Sequence, residues 1–382
     1  MRSTLCCIGV TLVTVTTGAS QSHDSVQQWT GPSCGTCRIM WSPPRRIGDE
    51  DGPGSLERWP LGIHHNVALD RQGRVYVRHW EGSVYAPYVF DEGSTRFIGP
   101  LGRIGAGPGE FRQPRLILAL PGDSLFVLDS QLYRYSIMSP GERKWVRGGP
   151  LPGGAFDVLL IERGARFIVA ASVQSESSVG YPLHLFSADG KLIRSFGTDD
   201  PRYDPTNAED VIRLLTPSGN DGFWAARYTR RYEVERYDNR GDRTGLFRRT
   251  VNWFPTLDHA PKPYSHDVPP SPYVMAVREQ ADGLLWIAIA VPAANWADGL
   301  SKPIRGEGGG TRVEIEDIRK FFDTVIEVID PARGVIVSER VDHLVKEFLP
   351  GNRVVSVANS PDGVPYLEIR TAVLVDRPGR RE

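Results

Sequence analysis

Six repetitions of an apolar run, a tight turn rich in Gly, Asp or Asn, and a second apolar run centred on a large side chain predict an all-β chain. A second hairpin follows five of them, which makes each unit a four-stranded antiparallel sheet, and such sheets in series predict a six-bladed β-propeller. The last unit is one strand short, and an unassigned strand-like run precedes the first. The ring is therefore expected to be closed by an N-terminal strand completing the last blade.

The first runs begin near Val67, Leu116, Val158, Ile212, Val274 and Val354. Their turns fall at 71–74, 121–124, 162–165, 218–222, 280–283 and 360–363, and the residues there supply the positive φ that joins antiparallel strands. The second runs centre on Tyr76, Phe126, Ile168, Trp224, Trp286 and Tyr366, separated by 50, 42, 56, 62 and 80 residues, so loops of unequal length are inserted between similar units. Second hairpins turn at 89–93, 137–141, 185–190, 236–239 and 328–331. In the sixth unit the chain ends after Leu374 to Gly379, and Cys37 to Trp41 is the free run placed to supply the absent strand. An open or a seven-bladed arrangement is the rival topology. Two insertions are expected in the fifth unit, at about 255–272 and 292–320, the second carrying a short helix over 313–322.

Arg2, the apolar stretch Leu5 to Val15 and the small residues Gly18 to Ser20 read as a signal peptide over 1–20. A lead segment, 21–36, then precedes the propeller at 37–379 and a tail at 380–382, and the mature protein is expected to be secreted or periplasmic. No other stretch approaches the ~20 apolar residues of a membrane span, so membrane insertion is not expected. Cys6 and Cys7 stand too early for a lipoprotein cleavage site. Cys34 and Cys37 then remain, and in an oxidising compartment a local disulfide is the expectation, with free thiols as the alternative. Haem attachment would want His where Arg38 stands, and zinc would want two further ligands.

A formal net charge of -1 supplies no field to gather nucleic acid or anionic lipid, so neither is an expected partner. Composition, at 40% hydrophobic and 24% charged, fits a chain with a sizeable core. A monomer is expected. Proteolysis is disfavoured, since propeller peptidases carry their Ser-His-Asp group on a separate α/β domain that has no room here.

Two interblade segments are alike: Arg46 to Leu56, and Arg103-Ile104-Gly105-Ala106-Gly107-Pro108-Gly109-Glu110-Phe111 with Pro114 after it. This second segment, with Leu125 to Asp129 beyond it, resembles bacterial six-bladed propellers of the NHL-repeat type. The resemblance is strongest over one blade and weaker across 37–379. It implies the fold, and functions ranging from peptide, glycan or RNA binding to lactonase and lyase activity. The glycines lack the Gly-Lys-Ser/Thr of a phosphate-binding loop and are expected to turn the chain between blades.

Ligands of a propeller gather at a mouth of the channel, at the approaches to inner strands and the ends of second strands. Those positions hold His64, His65, Asn66, Arg78, His79, Arg115, Asp129, Arg213, Arg227, Tyr228, Arg353 and Arg370. His64, His65, Arg78, Arg115, Arg227 and Arg370 are the candidate ligand-binding residues, because several guanidinium forks at one opening suit a carboxylate, phosphate or sulfated sugar. The bland alternative pairs these arginines with acids at blade edges. Asn66 and Asp129 are candidate metal ligands for calcium, or with a histidine for zinc, although the inner runs present no matching acidic set. The expected function is a noncatalytic binding or scaffold module for a small anionic ligand, glycan or peptide, with no cofactor. The alternative is a metal-dependent lactonase-like or lyase-like enzyme using Asp129, Asn66 and His64.

Overall fold

The computed structural model describes residues 26–48, 54–56, 67–81, 84–139, 144–173, 180–198, 208–219, 222–258, 264–305, 311–362 and 364–376. Its strands form six sheets of four or five strands, each running outward from an innermost strand, and two small two-stranded sheets, Arg103–Ile104 with Glu110–Phe111 and Ile304–Arg305 with Thr311–Arg312. Blade 1 comprises Val67–Leu69, Arg74–Glu81, Val84–Asp91 and Phe97–Pro100, and blade 2 Pro114–Ala119, Leu125–Asp129, Arg134–Met138 and Trp145–Pro150. Blade 3 comprises Ala155–Ile161, Arg166–Ala171, Leu183–Ser187 and Leu192–Phe196, and blade 4 Arg213–Ser218, Gly222–Arg227, Glu233–Asp238 and Arg243–Arg249. Blade 5 comprises Tyr273–Glu279, Leu285–Pro292, Phe322–Asp330 and Gly334–Val341.

Period-two alternation explains why these sheets assemble. Along the first strand of blade 4, Leu214 packs against blade 5 while Leu215 packs against blade 3. Both faces are covered, so second strands such as Leu125–Asp129 are buried at every position and read as continuous apolar runs. Six clusters of buried side chains result, one between each pair of neighbouring blades, and the sixth joins Leu349, Val355 and Leu367 of the last sheet to Val67, Val75 and Phe90 of the first. The all-β, six-bladed architecture of four-stranded antiparallel sheets is thus the fold of the chain.

The sixth sheet differs from its sequence reading. Its innermost strand is Leu344–Leu349, followed by Arg353–Asn359 and one long strand, Pro365–Asp376. The run beginning near Val354 is therefore the second strand, and the turn at 360–363 joins second to third. Lys346 and Glu347 hide the inner strand in the sequence, yet they are only 4% and 8% exposed. Outermost in this sheet is Cys37–Trp41, antiparallel to Pro365–Asp376 with Cys37 opposite Asp376 and Trp41 opposite Ala372. Arg45–Ile47 also pairs with Pro365–Asp376, Arg45 opposite Ile369.

The lead segment is more structured than composition suggests. Gln27–Trp29 adds to blade 4 as a fifth strand, parallel to Arg243–Arg249, and Trp29 is buried in a stack on Phe247 at 4.9 Å. Thr30 to Cys34 then cross the edge of blade 5, where Val335 N donates to Thr30 O at 2.9 Å and Ser33 N to Val335 O at 3.0 Å. Arg249 holds this crossing, donating to Gly31 O at 2.9 Å and pairing with Glu327 at 3.2 Å. Cys34 and Cys37 are joined in a disulfide where the segment passes to blade 6.

The first insertion connects blades 4 and 5, and the second joins the second and third strands of blade 5. They meet: His266 Nε2 lies 2.9 Å from Ser301 O, and the Tyr264 and Phe321 rings are 5.0 Å apart. The helix expected over 313–322 is only the single turn Ile318–Phe321, begun by Asp317, whose side chain accepts from Arg319 N. No helix among the described residues is long and apolar enough to cross a membrane.

Candidate ligand site at the upper mouth

In each blade the loop between second and third strands lies at the same end as the connection from the preceding blade, here termed upper. Turns between first and second strands lie at the lower end. This alternation divides the candidate arginines into two groups that the sequence had placed together. Arg78, Arg115, Arg213 and Arg227 belong to the upper end, whereas Arg353 and Arg370 belong to the lower. Arg370 is a correction to the single-mouth expectation: it lies opposite Val354, near the start of the second strand.

Four inner strands carry a β-bulge close to their upper start, at Pro114/Leu116, Ala155/Asp157, Val274/Ala276 and Val345/Glu347. A bulge inserts one residue outside the alternation and re-aims its side chain. The inserted residues are Arg115, Phe156, Met275 and Lys346. Arg115 and Phe156 consequently leave the blade interfaces and meet, the guanidinium carbon standing 5.3 Å from the ring centroid. Together they line a cavity of about 550 Å³ with Arg78, Gln113, Ser130, Tyr133 and Ile212.

Hydrogen bonds between Ser130 and Gln113 tie together two walls of this cavity. Ser130 donates from its hydroxyl to Gln113 Oε1 at 2.8 Å and from its amide to Gln113 O at 2.9 Å, tying the approach of blade 2 to its second–third loop. Tyr133, on that loop, adopts φ 50 and is 66% exposed as a residue. Burial pulls the Arg115 pKa below its ordinary value, yet a guanidinium keeps its proton. No carboxylate of the described residues lies within ion-pair distance of it. A partly desolvated cation beside the Phe156 ring, in a cavity that also carries Tyr133 and amide and hydroxyl groups, is suited to an organic anion.

The remaining upper residues are engaged elsewhere. Arg227 pairs with Glu233 at 2.9 Å and approaches Glu235 at 3.7 Å, while Arg213 pairs with Glu235 at 3.5 Å and donates to Asp210 O at 2.7 Å. Both carboxylates are buried, so these arginines neutralise the interior of blade 4. The Tyr228 ring packs on Tyr273 at 5.0 Å. His64, His65 and Asn66, and the side chain of His79, lie outside the described residues.

Asp129 is occupied as well. Its two oxygens accept four backbone amides: Arg112 at 2.6 Å, Gln113 at 3.1 Å, Gln131 at 3.1 Å and Leu132 at 2.9 Å. A carboxylate so saturated fixes the loops of blade 2, its lone pairs taken up by backbone amides. Its neighbour Arg134 clamps the glycine-rich interblade loop, donating to Ala106 O and Gly107 O at 2.7 Å and to Glu110 O at 2.9 Å. Gly102 belongs to the same loop: it adopts φ +71, and a Cβ there would lie 2.5 Å from Gly109 O. These glycines shape the passage between blades. Among the described residues, the one group of three metal-type side chains is Cys34, Cys37 and Asp376, whose sulfurs are bonded to each other.

Gln113, Ser130, Tyr133 and Phe156 were not singled out by the sequence. A usable signal existed for Phe156, which stands just before an inner apolar run as Arg115 does in the preceding repeat.

Fold and site together define a six-bladed propeller with a part-polar cavity at one mouth. No protein-family profile matches the chain, and no curated protein matches it in sequence. Among solved structures it is similar to a member of the DUF4221 family from Bacteroides vulgatus, with TM-score 0.62, 8% identity and coverage of 90% of this chain and 99% of that one. A candidate exported protein from Bacteroides fragilis aligns with TM-score 0.54 and 9% identity over 91% of this chain and 99% of that one. At such identity the likeness is one of fold.

Proposed function

We propose that this chain is a noncatalytic binding propeller acting outside the cytoplasm, which captures a small anionic ligand at its upper mouth. Glycans and peptides would enter the same site through an acidic group. The observation that carries this reading is Arg115: a partly buried guanidinium, stacked on Phe156 in a cavity of about 550 Å³, without a carboxylate partner among the described residues. Arg78 in the same wall supplies a second positive charge, and Tyr133 a ring for the ligand body. Export is supported by the N-terminal sequence and by the candidate exported protein of like fold. Kinship with NHL-type propellers is supported by the glycine-rich segment Arg103 to Phe111 and the strand Leu125–Asp129 beyond it. The pairing of Cys37–Trp41 with the last long strand is inferred to hold the ring shut.

The metal-dependent enzyme reading loses Asp129, whose oxygens are saturated by amides. A panel of aromatic carboxylates, sugar acids and phosphate monoesters, titrated calorimetrically at constant ionic strength, tests the proposal. Arg115→Ala with Arg78→Ala is expected to weaken the best ligand by about 2–4 kcal/mol, roughly 30-fold or more. Unchanged affinity in that variant would remove the site from the upper mouth.

A further inference from the structure

The lower end holds a second concentration of arginine, built from three distant parts of the chain where the last blade meets the first. Arg45 opens the short strand after Cys37–Trp41, Arg353 opens the second strand of blade 6, Arg370 lies within its long third strand, and Glu92 follows the third strand of blade 1. Two cavities, of about 560 and 340 Å³, share Arg45, Glu92 and Arg353 as common walls. The smaller is completed by Ser42, Pro43, Pro44, Ile369, Arg370 and Thr371.

Around the smaller cavity guanidiniums outnumber carboxylates, whereas the larger one also carries Asp70 and Asp91. Glu92, with its side chain 6% exposed, serves two guanidiniums at once, Arg353 at 2.5 Å and Arg45 at 3.4 Å. Glu368 likewise serves Arg370 at 2.7 Å and Arg46 at 3.9 Å. Four cations thus share two carboxylates. Arg370 holds Glu368 through Nη2, while its Nε is buried without a hydrogen-bond partner. A buried donor left unmet is a standing cost to the fold, and the same guanidinium borders the smaller cavity.

We propose that this seam is a second anion site, separate from the upper mouth, which takes a small carboxylate or phosphate. The acid group sits among Arg45, Arg353 and Arg370, and the body of the ligand rests on Pro43, Pro44 and Ile369. Because the walls come from the N-terminal segment and from the first and last blades, occupancy ties the seam of the ring together. Glu92 is the internal competitor for the same guanidiniums.

The test is titration of the full chain with inorganic phosphate and, separately, with succinate, at constant ionic strength, read by calorimetry and by the thermal midpoint. Saturable binding with a rising midpoint is expected for at least one of them, and which one binds assigns the acid class. Arg45→Gln and Arg370→Gln are each expected to weaken binding about fivefold or more, the loss of one charge-assisted hydrogen bond. Glu92→Gln is expected to tighten it severalfold, since the competing carboxylate is gone while the amide still accepts from Arg353. Arg78→Ala with Arg115→Ala is expected to leave it unchanged. Binding of neither anion, weakening in a folded Glu92→Gln protein, or loss in the upper-mouth variant would each overturn the seam site.

Discussion

Lys346 offers a quantitative test of how the inner strands are built. It is the inserted residue of the blade 6 bulge, 4% exposed, and burial pulls its ammonium from 10.5 down to about 7, with Glu347 opposing the fall. The folded protein therefore releases this proton near neutrality, whereas the unfolded chain keeps it up to 10.5. Between those limits the unfolded state binds more protons, so stability rises with pH across the window and is lowest below it. At about 1.4 kcal/mol per decade, the gap from 10.5 to about 7 sets an upper bound of about 5 kcal/mol on the cost of keeping the charge buried at low pH. Lys346→Met keeps most of the volume and removes the charge, while Glu347 retains the electrostatic interaction with Arg278. After loss of the Lys346–Glu347 attraction, a gain of about 2–4 kcal/mol is expected at about pH 6, shrinking toward zero above about pH 10. Urea unfolding of both proteins at several pH values measures it. A difference between them that does not change with pH would refute the reasoning.

Three further outcomes follow from the geometry. Asp129→Ala strands four backbone amides and is expected to cost about 3–5 kcal/mol in denaturant unfolding while leaving calcium affinity unchanged; an altered calcium response would restore it as a ligand. Trp29→Ala removes the buried ring stacked on Phe247 and is expected to cost about 3–5 kcal/mol, with faster proteolysis of the N-terminal segment; a neutral effect would mean that the segment does not brace blade 4. His184 is fully buried between Ser195 Oγ and Ala171 O, and desolvation lowers its pKa, so the unfolded chain takes up a proton first as pH falls below 6.5. Stability is expected to fall with pH there, and His184→Gln to flatten that slope in thermal scans; an unchanged slope would assign it to other groups.

Most of the architecture was legible because each blade buries both faces and writes its strands as apolar runs between turn residues. It failed where chemistry broke that code. Lys346 and Glu347 interrupt the inner strand of blade 6, so the repeat was shifted by one strand there. Gln27–Trp29 is too short and polar to read as a strand, and only the Phe247 partner shows why it pairs. The arginines were visible as residues, but their grouping depends on the end of the sheet each occupies and on partners distant in sequence. Arg227 faces Glu233, Arg370 faces Glu368, and only Arg78 and Arg115 share the upper cavity. Phe156 could not be paired with Arg115 without the two bulges that turn both side chains off the blade faces.

Hydrogen exchange with and without the tightest organic anion from the panel tests the upper-mouth site most directly. Protection is expected in Arg112 to Leu116, Ser130 to Tyr133 and Gly153 to Phe156, and is expected to vanish in Arg78→Ala with Arg115→Ala. Protection confined to the lower seam, or no change at any of these segments at saturating ligand, would contradict a binding propeller that works through its upper mouth.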